Sequence, residues 1–404
     1  MNILRQGTVI SSLIGIFWVF IVAVTVAICL SFSTGLAFKP ALLGCLLLGL
    51  VSALMCVVYK KPVVLYIVGI LLGTGMAFTP LSPLLMAAEV TPLLRLLSGV
   101  LTGLASVAAL QKMLQEVEVG FLTRHVFEEA IIRFLTGFGY VFFTAIVLIP
   151  FYVMVMTSLK SQQELLQNPL DFTIDLSQGL DLFRSYIELF ANFNFGGYLL
   201  TSFGVSVLTV FITLLFSVPG AYAVARLRFK GQAVFSRSIL LIYMVPMIVL
   251  ALPIYIAFSM AGLRNTILGI VLVYPVTTIP VALYMLQGYF RGLPVEVEEA
   301  GLMDGLSRLK VIWKITLPLS VPALVSVSLY VFMIAWNEFL IAFMLLDDPS
   351  KFTLTRGVAM LNSSEIPRQH LMAGAVIATI PIMCLFLGLE RFMTKGLTAG
   401  SVKG

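Results

Sequence analysis

Charge is what this chain has least of. Lys, Arg, Asp and Glu make up 11% of its 404 residues against 60% hydrophobic ones, whereas the surface of a soluble domain needs roughly a quarter of the residues charged. That deficit and a mean hydropathy of +1.06 exclude a soluble globular protein and leave an integral membrane protein. His125 and His370 are the only histidines, far apart in sequence and on opposite sides of the topology drawn below, so the chain is read as holding no metal. Cys29, Cys45, Cys56 and Cys384 all fall in apolar stretches and read as small packing residues rather than disulfide halves. No Gly-Lys dipeptide occurs, so there is no P-loop whose amides and lysine would hold phosphates. A glycine-rich dinucleotide fingerprint and a nucleophile-and-base set are missing too, and no catalytic residue is assigned.

What is there is a succession of apolar stretches of about twenty residues, the length a helix needs to cross the hydrocarbon core. Ten spans are expected: Val9–Phe32, Ala41–Tyr59, Val63–Phe78, Leu93–Leu110, Gly137–Met156, Tyr198–Ala225, Ile239–Ser259, Ile267–Leu286, Val321–Leu346 and Leu371–Arg391. The expected fold class is all-α, a polytopic membrane helix bundle. With the N-terminus inside, only Lys39, Arg95, Lys160, Arg184, Arg264, Lys351, Arg356 and Arg368 of the 25 basic residues fall in outside connections. Basic residues near spans stay cytoplasmic, so both termini are expected inside. The same bias explains the net charge of +6 without nucleic acid.

The chain divides near residue 112 into an N-terminal four-helix membrane region, 1–112, and a second region, 113–404. In the first, Gly69 with Gly73 and Gly99 with Gly103 have the small-xxx-small spacing that lets helices approach closely. In the second, an amphipathic stretch Glu116–Arg133 precedes six spans. Two long outside loops, 157–197 and 347–370, are either solvated connectors or contacts for an external solute-delivering protein. Pro246, Pro253, Pro275 and Pro280 favour kinks in two successive spans. Asn337 and Glu338 are costly within a span and must face protein or water. They line or gate a solute path, or else hydrogen-bond a neighbouring helix or subunit.

Residues 296–318, EVEEAGLMDGLSRLKVIWKITLP, form a charged amphipathic insert on the inside. Pro294 suits the first turn of a helix, and Glu296, Glu298 and Glu299 sit by the positive end of its dipole. Gly305 is placed to end that helix in the left-handed conformation, and Ser307 to cap a second one broken at Pro318. Val297, Ala300, Gly301 and Asp304 make a face of small residues suited to a shallow cleft on another protein. Leu309, Ile312, Trp313 and Leu317 are expected to pack back on the membrane domain. A merely interfacial helix is opposed by the acidic residues, which anionic headgroups repel.

Glu299-Ala300-Gly301, three residues, Gly305, nine residues, Ile315, one residue and Leu317-Pro318 resembles the EAA loop of permease subunits of binding-protein-dependent ABC importers, with Gly301 at the second alanine. Trp336-Asn337-Glu338-Phe339 and the C-terminus GLTAGSVKG from Gly396 resemble maltose-type (MalG-like) sugar permeases. The resemblance covers roughly 137–404. It implies a type I ABC importer transmembrane domain, with the transmembrane type-1 region at about 197–391. It makes Glu298, Glu299, Ala300, Gly301, Asp304, Gly305, Ile315, Leu317 and Pro318 the ATPase-coupling residues. The last outside loop, with Phe352, Thr353, Arg356, Asn362 and Glu365, would touch a solute-binding protein, and the tail, with Gly400, Val402, Lys403 and Gly404, would touch the ATPase. Four extra helices depart from the MalG-like pattern.

The expected function is a non-catalytic permease subunit of the bacterial inner membrane, importing a maltose- or maltodextrin-like oligosaccharide by alternating access. The expected partners are a second (MalF-like) permease, a MalK-like ATPase dimer that binds the ATP and Mg, an external sugar-binding protein and membrane lipid. The alternatives are the same machine for trehalose or a glycerol phosphate, and an ion-coupled secondary transporter.

Overall fold

The structure, a computed structural model, describes residues 3–168 and 171–398. Its contacts divide the chain into two compact units, Met1–Gly179 and Leu180–Gly404. Among the described residues six helices are long and apolar enough to cross a membrane, or seven if a bent pair at Ser320 counts as one span, and Leu42–Val58, Pro62–Ala77 and Met247–Met260 are shorter apolar helices.

The first unit is built on α1 (Gly7–Thr34), α2 (Leu42–Val58), α3 (Pro62–Ala77), α4 (Pro92–Met113) and α5 (Arg124–Ser158). Pro62 and Pro92 open α3 and α4, where a missing N–H costs nothing. The Thr91 and Thr123 side chains accept from Leu94 and Val126 N–H at the starts of α4 and α5, satisfying donors a helix start leaves free. Strands β1 (Phe38–Pro40) and β2 (Leu84–Met86) pair antiparallel.

The glycines visible in the sequence set the packing of α3 on α4. A methyl added at Gly103 would lie 2.0 Å from the Gly69 carbonyl oxygen, and one at Gly73 would lie 2.3 Å from that of Gly99. Backbone-to-backbone contact is a main source of helix association where lipid is as apolar as the side chains. Gly15 and Gly49 bring α1 and α2 together in the same way, with Ser11 four residues before the first and Ala53 four residues after the second.

The sequence separates an amphipathic stretch, Glu116–Arg133, from a span in this region; in the structure the part of that stretch from Arg124 onward and the span are one 35-residue helix, α5. Arg133 within it pairs with Glu116 and Glu129. The helix lies in the first unit, whereas the sequence division at 112 groups it with the second. Trp18 of α1 meets Phe134 edge-on at 6.4 Å, and the Tyr152 hydroxyl donates to the Phe32 carbonyl at 3.2 Å. Deleting 1–112 therefore removes the Trp18 and Phe32 contacts that hold α5 in the first unit. The expected outcome is a several-fold fall in membrane abundance, measured by immunoblot, with solute preference in the residual protein unchanged.

In the second unit helices Phe195–Arg226, Ile267–Gly292, Val321–Asn337 and Arg368–Thr398 pack together. Ser202, Ser206, Thr209, Thr213 and Ser217, all buried, run down one face of Phe195–Arg226. The Thr213 hydroxyl bonds that of Thr278 on Ile267–Gly292 at 2.6 Å, the small-residue polar seam that membrane helices use as glue. The Trp336 indole donates to the Ala378 carbonyl at 3.0 Å, fixing the third helix on the fourth.

Two expected spans are interrupted. Ile239–Ser259 is two helices, Gln232–Tyr243 and Met247–Met260, with Pro246 at the break because it has no N–H to continue the ladder. Val321–Leu346 is Val321–Asn337 followed by Leu340–Leu345. The four cysteines are free, Cys45 and Cys56 buried and Cys29 and Cys384 exposed.

Candidate functional site

The insert folds as the helix Val295–Met303, a turn, and a second helical segment from Arg308 to Leu319. Pro294 stands at the N-cap rather than in the first turn. Gly305 has φ of 82°, the left-handed region that glycine enters without a Cβ clash. Its N–H donates to the Leu302 carbonyl at 3.0 Å, and the Leu306 N–H donates to that of Gly301 at 3.1 Å. These two crossed bonds are a Schellman ending, which satisfies carbonyls the helix would leave free.

The second segment departs from expectation in two ways. Ser307 is at the cap position but its side chain makes no capping bond. The helix is not broken at Pro318: it passes through a π turn at Ile312–Thr316, and the break falls at Ser320, where Arg308–Leu319 and Val321–Asn337 meet at 77°. The π turn bonds residues five apart, which takes up the proline.

Gly301 is buried, and a methyl there would sit 2.5 Å from Ile315 Cδ1. Glycine at the second alanine position thus lets the two segments close on each other. The outward face keeps Val297, Glu299, Ala300, Met303 and Asp304 exposed, so four of the five positions in 298–304 that the resemblance assigns to coupling divide as two exposed carboxylates, an exposed alanine and a buried glycine. Ile312 and Leu317 are partly buried, as expected for residues facing the bundle. Leu309 and Trp313 are 70% and 72% exposed, contrary to the expectation that they pack back.

Glu298 points the other way. It is buried, accepting from the Tyr222 hydroxyl at 3.1 Å and the Thr316 hydroxyl at 2.9 Å. Arg226 Nε lies 3.5 Å from its carboxylate, within Coulombic reach but without a hydrogen bond at Nε. The Arg226 Nη2 donates instead to the Leu293 carbonyl at 2.7 Å. One carboxylate therefore ties the insert's first helix to the end of Phe195–Arg226 and to the π turn. Tyr222, Arg226 and Thr316 are the residues sequence reasoning missed; Arg226, a basic residue closing a span, was the signal available.

Asn337 is exposed, its amide donating to the Met333 carbonyl at 2.9 Å. Glu338 accepts from the Ile341 and Ala342 N–H groups at 2.8 and 3.1 Å. It caps Leu340–Leu345, where donor groups and the helix dipole both favour a carboxylate. Asn337 thus bonds within its own helix and Glu338 bonds the short helix that follows it, so these contacts select neither of the two readings open in the sequence.

Loop 347–370, expected to lie outside the membrane, is mostly packed inward against the bundle. Phe352 and Thr353 are each 3% exposed, which removes them from any external contact. The Arg356 guanidinium lies 4.4 Å from the Phe343 ring centroid and 4.6 Å from that of Phe352, a cation–π sandwich. A methyl on Gly357 would lie 2.2 Å from Tyr198, so helix Leu354–Met360 is seated against Phe195–Arg226. Asn362 and Glu365 are exposed, with Ser363 and Ser364 between them. At the edge of the loop the His370 Nε2 is 2.7 Å from Glu188. Arg184 and His370 together hold the Glu188 carboxyl below its ordinary range. Gly400, Val402, Lys403 and Gly404 lie outside the described residues. Among the described residues no group of three metal-ligating side chains occurs.

Residues 217–398 match the family model described as binding-protein-dependent transport system inner membrane component. The inner membrane ABC transporter permease protein YcjP of Escherichia coli (strain K12) is 36% identical over 272 residues, 66% of this chain and 95% of that protein. The trehalose/maltose transport system permease protein MalG of Thermococcus litoralis is 34% identical over 281 residues, 69% of this chain and 99% of that protein. In fold, the chain is similar to a crystal structure of a bacterial ABC transporter involved in the import of the acidic polysaccharide alginate. The TM-score is 0.56 at 23% identity, over 68% of this chain and 99% of that one.

Proposed function

The chain belongs to the binding-protein-dependent transport system inner membrane component family, and from that membership we propose that it is the permease subunit of an ATP-driven importer of an oligosaccharide of the maltose or maltodextrin kind. Its helix bundle is the type I importer transmembrane domain, and the chain is multi-pass and non-catalytic. The observation that carries the proposal is the insert: a helix with an outward face of Val297, Glu299, Ala300 and Asp304, closed by a left-handed Gly305 and tied inward through Glu298. Such a shape passes the movement of a bound ATPase to the spans. A partner ATPase binds the ATP and Mg, a second permease completes the path, and an external sugar-binding protein meets the exposed tip Asn362–Glu365.

Support for a saccharide comes from the solutes named for the Thermococcus permease and the alginate importer; trehalose fits the same reading. An ion-coupled carrier is disfavoured because Glu338, the carboxylate it would protonate, is occupied by two backbone N–H groups. The deciding experiment is solute-stimulated ATP hydrolysis by the purified complex with its binding protein across maltose, maltodextrins, trehalose and glycerol phosphate. Stimulation by maltodextrins supports the proposal, and stimulation by glycerol phosphate alone rejects the sugar.

The topology belongs to the same proposal, with the insert and both termini cytoplasmic. Single cysteines at the exposed positions Ser177, Ser307 and Ser364, in a background without native cysteines, are expected to react with an impermeant thiol reagent in intact cells at 177 and 364 only. Labelling at 307 would overturn the orientation.

A further inference from the structure

No acidic residue occurs between Glu188 and Glu296, a stretch that holds Arg226, Arg228, Lys230, Arg237, Arg264 and Arg291. Two of these cations are neutralised. Arg226 is spent on Glu298, and Arg264 pairs with Asp347 at 2.7 Å. Arg237 and Arg291 come together on the wall of a cavity of about 320 Å³, lined also by Gln232, Ala233 and Ser236. No carboxylate lines it, and neither arginine has an ion pair or hydrogen bond among the described residues. Arg228 and Lys230 are exposed just before the helix that carries Arg237.

The cavity lies at the end of the bundle where the insert is, since Arg226, Leu293 and Glu298 meet there. Its polar walls are already arranged: the Gln232 amide donates to the Val224 carbonyl at 2.6 Å, and the Ser236 hydroxyl to Gln287 at 3.2 Å. What is left over is cationic, from two different helices. Beside the exposed Arg237, helix Gln232–Tyr243 carries large exposed apolar residues: Val234 is 68%, Phe235 48%, Leu241 65% and Ile242 57% exposed.

We propose that this cavity binds the anionic headgroup of a phospholipid, with the acyl chains laid along the apolar face of Gln232–Tyr243. Two guanidinium groups without a carboxylate match a headgroup whose phosphodiester charge no cation of its own offsets, and basic pockets between spans on the cytoplasmic side take acidic headgroups. An acidic patch on a protein partner would satisfy the arginines but leave Val234, Phe235, Leu241 and Ile242 uncovered. A lipid meets both needs with one molecule. The site is separate from the insert's outward face and does not depend on which solute is carried.

The test is native mass spectrometry of the full-length chain in mild detergent, titrated with phosphatidylglycerol or phosphatidylcholine. Each basic residue near an anionic surface contributes about fivefold, so Arg237→Gln with Arg291→Gln is expected to weaken phosphatidylglycerol binding about 25-fold and leave phosphatidylcholine unchanged. The charge-keeping pair Arg237→Lys and Arg291→Lys is expected to stay near wild type, which separates lost charge from lost folding. Millimolar inorganic phosphate is expected not to displace the lipid; displacement would mean a free-anion site and overturn the proposal. It is overturned as well by equal wild-type retention of the two lipids. The same holds if the Gln pair loses co-purifying ATPase while still binding phosphatidylglycerol like wild type, which would assign the arginines to a protein surface.

Discussion

Gly305→Pro is expected to abolish solute-stimulated ATP hydrolysis and transport while the chain still inserts in the membrane. Proline holds φ near −65°, and Gly305 sits at 82°, so the turn cannot survive the substitution. The proline also removes the N–H that Gly305 donates to Leu302. Forcing a residue out of its preferred φ costs about 1–3 kcal/mol, and a lost backbone bond about 0.5–1.5 kcal/mol. The chain avoids that cost by rebuilding the ending, which re-aims Val295–Met303. Gly305→Asn, which tolerates the left-handed region, is expected to keep most activity, so the ordering Asn over Pro is diagnostic. Full coupled hydrolysis by the proline variant, at a normal yield of co-purified ATPase, would dismiss the coupling role of this turn. Glu299→Lys is the companion change. It reverses an exposed charge without touching the helix, and is expected to weaken ATPase capture by less.

Glu298→Leu is expected to be as damaging through a different route. It leaves the Arg226 side chain, 7% exposed, as a buried charge without its carboxylate, and it removes the acceptor of the Tyr222 and Thr316 hydroxyls. Breaking a buried pair from one side costs about 3–5 kcal/mol, whereas replacing both partners by apolar groups is often neutral. The double change Arg226→Met with Glu298→Leu is therefore expected to recover most of the thermal midpoint that Glu298→Leu loses, measured in detergent. Coupled ATP hydrolysis is expected to stay low in the double variant, because the tether to Tyr222 and the π turn is still missing. A wild-type midpoint for Glu298→Leu alone would show that the network carries no stability.

The helices and the insert were legible because their signals are local. Apolar length marks a span, and proline and glycine at fixed offsets mark a helix start and its left-handed end, as at Pro294 and Gly305. What could not be read depends on distant partners or on phase. Glu296, Glu298 and Glu299 look alike in sequence, and only the approach of Tyr222 and Thr316 selects Glu298 as the inward one. Leu309 and Trp313 were assigned to the inner face on a regular helical period, but the π turn at Ile312–Thr316 inserts an extra residue in the turn and shifts the phase. Phe352 and Thr353 lie in a loop of polar composition, yet Phe352 reaches Tyr198 at a ring distance of 6.0 Å, a contact with no trace in the neighbouring residues. The run from Val321 to Leu346 reads as one apolar span, with Asn337-Glu338 the sole mark of the break.

The clamped arginine in loop 347–370 bears on how quickly the proposed external partner engages. With Arg356 held between Phe343 and Phe352 and Gly357 seated on Tyr198, the stem of the loop is ordered before any encounter. Ordering a backbone residue costs about 1–2 kcal/mol, and here that penalty falls only on the exposed tip 362–365 instead of on the whole connection. On the proposed function, capture of an external solute-binding protein at that tip is then governed by diffusion and surface match rather than by a search through loop conformations. Loosening the clamp, as in Arg356→Ala, would show itself in a slower association rate with the dissociation rate nearly unchanged.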